Sequence, residues 1–312
     1  MPGRMAIPLL LAAVIAAEMP EIGVSHGFGM IEETAAPTEA AVDEGIMPYP
    51  TEWAEDGAWI REIHIGSSGL ALDAGGMLRN ETAHPDSAVL AAQRLRPQTV
   101  FTQMEDPQVL VVHTYGSKCY VPAQCTRMDS DFCCRTTDPR YNLNAVGEVM
   151  CRQLAAAGIG AAHVPSIYDV PSCIGAGERC RRETAAQLAA QSSVQRVVDV
   201  ARKQMMTEDT AYAPVVRING QEAAQVRIVC ETGAGMPELE DALRLTCLLQ
   251  SQLERDWPGL AMPARVIQAR EDPVYCRLTV EIGSCANTPE QAEYAAALAG
   301  SSLARVLLEL QP

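Results

Sequence analysis

The stretch DPQVLVVHTYGSKCY, residues 106–120, decides the fold. Val109 to Val112 form an unbroken apolar run ending at His113, the composition of a strand buried on both faces with a polar residue at its carboxyl end. The next block, YNLNAVGEVMCRQLAAAGIGAAHVPS (141–166), sets Val146, Met150 and Leu154 at i, i+4 spacing. That spacing predicts a helix over about 144–157 with one apolar stripe against the sheet. Gly158 caps it, and Ile159 to Val164 supply a second short strand. Strand, helix and strand in this order make a βαβ unit.

The same alternation continues to the C-terminus. A helix is predicted over about 177–191, then strands at 194–200, near 215–218 and near 224–230. A long helix over 237–257 carries Leu239, Leu243, Thr246, Leu249 and Leu253 on one stripe, and strands follow near 264–268 and 277–282. The last helix opens with Thr288 as N-cap, Pro289 at its first position and Gln291 at its third, a capping box. The fold class is therefore α/β, a central mixed and mostly parallel sheet flanked by helices, over residues 107–312. Ligands of open α/β sheets bind outside the carboxyl ends of strands. His113, Asp199 and Glu281 occupy such ends and are expected on one rim.

Upstream, Arg4 precedes the apolar run Met5 to Ala17. As a helix it reaches roughly 20 Å against a hydrocarbon core of ~30 Å, so residues 1–17 read as a signal peptide or short membrane anchor and the protein as exported or membrane-tethered, hence extracytoplasmic. Residues 18–106 read as an acidic tether and a poorly defined N-terminal region: ten carboxylates lie between Glu18 and Asp56 with no lysine or arginine. A strand at 60–65 and a helix near 88–95 within it are too little for a separate core, and their role is left open. The chain of 312 residues carries 24 basic against 39 acidic side chains, a net charge of −15 that excludes nucleic acid as an electrostatic partner. Its only lysines are Lys118 and Lys203. Eleven cysteines, an odd number, leave at least one thiol unpaired or paired between chains.

Four blocks together, 106–120, 141–172, AAQVRIVCETGAG at 223–235 and LTVEIGSCANTPEQA at 278–292, resemble the stage II sporulation protein P family in order and spacing. The resemblance implies a zinc amidase-like fold, and a membrane-anchored N-acetylmuramoyl-L-alanine amidase and endopeptidase that thins peptidoglycan with sporulation proteins D and M during engulfment. In such an enzyme zinc-activated water attacks the amide between muramic acid and L-alanine while Glu281 shuttles the proton. The first family block resembles H-T-H-x-(S/T)-E-x-Y, its first His and its Glu being metal ligands, and here the matching positions are His113 and Lys118. The second resembles D-(I/V)-H-R-D, and its ligand His is replaced by Ala201. The third resembles (I/V)-E-(I/V)-G-x-x-x-N-T and retains the catalytic acid/base as Glu281 and the Asn as Asn287. Tyr168 and Asp169 resemble the family's substrate-cleft loop, so Tyr168, Asp169 and Asn287 are carried over as substrate-binding.

With two of three ligand positions substituted, zinc binding is expected to be weak or absent, and the two lysines to stand in for metal charge. Lys118 is then expected to pair with Glu281. The chain reads as a peptidoglycan-remodelling protein with impaired or absent amidase activity, or alternatively as a non-catalytic peptidoglycan-binding or scaffold protein. Cys119, Cys133 and Cys134 offer replacement thiolates. Two other classes are weaker. Gly233-Ala234-Gly235 follows a strand like a nucleotide loop, but Glu238 stands where a third glycine belongs. A cysteine hydrolase using His163 has no local motif behind it. Arg179, Arg181 and Arg182 read as a solvated helix face or as readers of acidic stem peptides.

Overall fold

The computed structural model of the chain describes residues 46, 48–66, 68–94, 104–233, 239–269, 275 and 277–310. The apolar segment 1–17, residues 18–45 of the acidic tether, and Ala234, Gly235 and Glu238 lie outside the described residues. Along the chain run β1 (Trp59–Ile63), β2 (Leu70–Ala71), β3 (Met77–Glu81), α1 (Asp86–Ala91), β4 (Met104–Val112), α2 (Leu143–Ala156), β5 (Ile159–His163) and α3 (Ala176–Ala190). There follow β6 (Arg196–Lys203), β7 (Thr210–Ile218), β8 (Gln221–Ala224), β9 (Val226–Thr232), α4 (Leu239–Asp256), β10 (Ala264–Gln268), β11 (Arg277–Ser284) and α5 (Pro289–Glu309). No described helix is long and apolar enough to cross a membrane.

The main sheet has the order β2-β3-β10-β9-β11-β6-β4-β5, antiparallel only at β2/β3 and β9/β11. A smaller sheet, β1-β7-β8, contains a hairpin whose turn is Asn219-Gly220, both at positive φ, the backbone that a two-residue hairpin turn requires. Residues 59–94, whose role the sequence left open, add β2 and β3 to the edge of the main sheet and β1 to the small one. The strand expected near 224–230 is two strands in different sheets, because the chain crosses over at Gln225. That residue is fully buried, accepts from Ile65 N at 2.7 Å and donates to Gly259 O at 2.9 Å, so its amide secures the crossing.

Alternation gives the main sheet two unlike faces. Val111, Val198, Val200, Val280 and Ile228 pack with Met150 and Leu154 of α2, Leu249 of α4 and Leu303 of α5 in one cluster. On the opposite face Leu110, Val112 and Val197 pack with Ala176 and Cys180 of α3. Further along that second face the strands turn polar. Arg277 bridges Asp199 at 3.4 Å and Glu231 at 2.5 Å, Arg227 meets Glu281 at 3.6 Å, and Arg265 pairs with Glu81.

Candidate functional site

His113 leaves the end of β4 on the α2 side of the sheet and is fully buried. Its Nδ1 lies 3.0 Å from the Val200 carbonyl oxygen. A carbonyl only accepts, so the proton sits on Nδ1 and donates there. Its Nε2 lies 2.8 Å from His163 Nε2. Burial, followed by His163, pushes the His113 imidazole down to about 3, so it is neutral and its Nε2 accepts the His163 N–H. His163 in turn faces Glu148 through Nδ1 at 3.4 Å. Burial holds the His163 imidazole below its usual value, against the pull of Glu148. The sequence builds this chain locally, since β5 sets His163 beside Val111 and α2 supplies Gly147 and Glu148 in succession. A Cβ at position 147 would stand 2.5 Å from the His113 ring and 3.0 Å from His163 Nε2, so the two rings need glycine there.

The other family positions point elsewhere. Ala201 and Glu281 are register partners on β6 and β11, on the polar face of the sheet, away from α2. Lys118 lies on the loop after β4, with its amine 3.4 Å from the Arg202 carbonyl oxygen and 4.5 Å from the centroid of the Tyr115 ring. Burial, followed by the Arg202 guanidinium, pushes this amine down to about 8. The expected Lys118–Glu281 pair does not form. Arg227 stands directly across from Glu281 on β9 and pairs with its carboxylate, whereas Lys118 turns to Arg202. The three strand-end groups stand at one edge of the sheet but divide between its faces: Asp199 accepts from Thr114 N at 3.1 Å and pairs with Arg277 on the polar face, while His113 faces α2.

A catalytic zinc needs three protein donors and a water in a tetrahedral shell. The His113 Nε2 lone pair is taken up by the His163 N–H, Lys118 presents an ammonium with no lone pair at neutral pH, and Ala201 has no donor atom. His113 and Ala201 also lie on opposite faces of the sheet. The residues at the family's ligand positions therefore do not fit a zinc ion. Among the described residues, no group of three or more His, Cys, Asp or Glu side chains is arranged to hold a metal.

Of the residues carried over as substrate-binding, Asp169 and Asn287 have their side chains engaged inside the domain, whereas the Tyr168 hydroxyl is buried with no hydrogen-bond partner. Asp169 is fully buried, accepts from Ser117 N at 3.1 Å and Ser117 Oγ at 2.5 Å, and faces Arg135 at 3.5 Å. Tyr168 is buried against Ala176 and Cys180, and its carbonyl accepts from Arg179 Nε at 2.8 Å. Arg179 thus ties the loop to α3. Asn287 is fully buried, accepts from Ser284 N at 2.8 Å and donates to Pro214 O at 3.2 Å, stapling the turn before α5 to β7. Sequence reasoning missed Glu148 and the contact between the two histidines. The available signal was a histidine at each of two neighbouring strand ends, with a Gly-Glu pair on the helix between them.

The stage II sporulation protein P family profile matches residues 75–307. No curated protein matches. Among solved structures, the N-acetylmuramoyl-L-alanine amidase AmiC2 of Nostoc punctiforme aligns with a TM-score of 0.37 at 10% identity, covering 67% of this chain and 98% of that one. The amidase Ami1 of Mycobacterium smegmatis gives 0.36 at 13% identity over 65% and 98%. The CwlD amidase of Clostridioides difficile, solved in complex with the GerS lipoprotein, gives 0.38 at 8% identity over 64% and 94%. With residues 75–307 of 312 accounted for by one profile, this chain belongs to the stage II sporulation protein P family.

Proposed function

We propose that this chain serves peptidoglycan remodelling during sporulation as a wall-engaging member of its family without zinc-dependent amidase activity. The observation that carries the reading is the donor chemistry at the family's ligand positions, where Lys118 and Ala201 leave His113 as the lone nitrogen donor, already bonded to His163. Without a metal to lower its pKa toward ~7, water does not become a hydroxide able to attack an amide at neutral pH. Binding to wall material is supported by Tyr115, whose ring is exposed with the Lys118 ammonium stacked on it. An aromatic face suits a sugar ring and an ammonium suits a stem-peptide carboxylate. In this reading the protein acts outside the cytoplasm, exported or membrane-tethered, beside sporulation proteins D and M.

The test uses the full chain with purified sacculi. Retention on sedimented sacculi with no released muropeptides is the expected result. Amidase products that appear with added zinc and vanish in Glu281→Gln would overturn the non-hydrolytic reading, and failure to sediment with sacculi would overturn wall engagement.

A further inference from the structure

Lys118 and Arg202 are two cations of one corner of the fold, and among the described residues neither has a carboxylate within salt-bridge reach. The Cys134 carbonyl oxygen accepts from Cys119 N at 3.0 Å and from Arg202 Nη2 at 2.9 Å, which sets the guanidinium against the backbone next to Lys118. The Lys118 amine in turn lies 3.4 Å from the Arg202 carbonyl oxygen. Arg202 is 3% exposed, its hydrogen bonds go to carbonyl oxygens alone, and its Nε–H has no partner. The charged groups around the Lys118 amine are Arg202 and Lys203 of β6, Asp169 of the loop after β5 and Glu281 of β11. Both carboxylates are already engaged, Asp169 by Ser117 and Arg135 and Glu281 by Arg227. The residue bridged directly to Lys118 is a further cation, Arg135. An enclosed cation that faces no free anion keeps its full desolvation cost.

We propose that Lys118 is a site of reversible carbamylation by carbon dioxide, the product carbamate supplying the anion that this pair of cations lacks. The unprotonated amine attacks the carbon of carbon dioxide. An N–C bond forms as one C–O π pair moves onto oxygen, and the amine proton leaves to water, so no oxidant or further reactant is consumed. Lys118 is half-buried, and its amine lies 4.5 Å from the centroid of the Tyr115 ring, itself 36% exposed, so the side of that ring is open to a triatomic molecule. Burial, followed by the Arg202 guanidinium, pushes the amine down to about 8. At pH 8 about half of it is therefore unprotonated, against under about 1% of an ordinary lysine. The reaction turns one positive charge into one negative charge. It removes the repulsion between ammonium and guanidinium, sets an anion in the neighbourhood of Arg202, and reverses the charge presented beside the Tyr115 ring. Lys203, the chain's only other lysine, is exposed and serves as the internal comparison.

The experiment equilibrates the full chain with carbon-13-labelled bicarbonate at pH 8, traps carbamates by ethylation with triethyloxonium and maps the labelled peptides by mass spectrometry. A carbon-13 spectrum of the untrapped sample is recorded alongside. The adduct is expected on Lys118 and to exceed that on Lys203 by about tenfold or more, in line with the difference in free amine. Lys118→Met is expected to abolish the carbamate resonance, and Lys203→Met to retain it. Absence of an adduct on Lys118 at saturating bicarbonate would overturn the site. So would equal labelling of Lys118 and Lys203, which is the ordinary chemistry of an exposed amine. If Lys118→Met does not fold, the peptide map of the unsubstituted chain decides between these outcomes by itself.

Discussion

His113, just past β4, and Glu281, on β11, stand either side of β6 in one sheet, yet their surroundings are opposite in kind. On the α2 side, the polar groups are few and enclosed, an imidazole matched to a carbonyl and an imidazole to an imidazole; Asp169, in the loop after β5, is as fully enclosed and is matched to Ser117 and Arg135. On the other side, full charges alternate across strands, Glu281 with Arg227 and Asp199 with Arg277 and Glu231. The first arrangement tolerates almost no change of volume or partner, because an orphaned group there has no water to replace what it loses. The second is partly solvated at Arg227, Glu281, Arg277 and Glu231, though not at the buried Asp199, so most of its ions retain some hydration when a partner goes.

The largest expected effect is on the buried side. Asp169→Ala removes the acceptor for both Ser117 groups and the carboxylate facing Arg135, and should lower unfolding stability by about 3–4 kcal/mol in urea titration. A loss under about 1 kcal/mol would show that the loop after β4 is held by something other than Asp169, and the contrast between the two faces would weaken.

Next in size is Gly147→Ala. Alanine is the better helix former by about 1 kcal/mol, but its Cβ would stand 2.5 Å from a ring that has no room to retreat. Overpacking of this kind costs about 1–3 kcal/mol, so a net loss of up to about 2 kcal/mol is expected by chemical denaturation. A neutral or stabilising result would mean that the histidine pair is loosely held.

The elements were legible from residues 106–310 because their signals are local. Val109 to Val112, the Val146-Met150-Leu154 stripe and the Thr288-Pro289-Gln291 cap each act within one element, and each appears where the spacing puts it. The crossing at Gln225 was not legible, since the apolar run continues through it and only tertiary bonds to Ile65 and Gly259 reveal the change of sheet. The site was legible only as a set of positions. Strand ends could be read, but which face each side chain takes depends on register, and register put His113 with α2 while Ala201 and Glu281 went to the opposite face. Lys118 illustrates the same limit. Its charge suggested Glu281 as partner, whereas Arg227 lies directly across from that carboxylate by strand pairing alone.

Lys118 lies between the two regimes and gives a smaller, pH-dependent effect. Its amine is pushed down to about 8 from an ordinary 10.5, so between those values the unfolded chain binds a proton that the folded chain does not, and stability rises with pH. Below about 8 both states are protonated and the full burial penalty is present. Lys118→Met removes that penalty and should stabilise the protein by about 1–2 kcal/mol at pH 7. The gap between variant and parent should close as the pH climbs toward 10.5. A destabilising substitution at pH 7 would mean that the contacts to Arg202 and Tyr115 outweigh the cost of burying the charge.

The smallest effect is expected from the pair that the family's chemistry would have made central. Arg227 and Glu281 are each 13% exposed and 3.6 Å apart, a pair without the geometry of a bidentate bridge, in which Glu281 Oε2 and Arg227 Nε are buried without a hydrogen bond while the rest of each side chain keeps some solvent. A double-mutant cycle of Arg227→Met and Glu281→Gln isolates their interaction from the separate effects of each change. A coupling of about 0.5–1 kcal/mol is expected at low salt, falling when the ionic strength is raised to about 1 M, where the screening length shrinks to ~3 Å. The neighbouring charges sharpen this expectation, because Arg265 and Glu81 lie on the next strands and redistribute around a lost ion. A coupling near 3 kcal/mol that ignores salt would be the signature of a desolvated pair. Glu281 would then belong energetically with Asp169 and His113, and the division between a matched buried side and a solvated charged side would fail at the residue where the family places its acid and base.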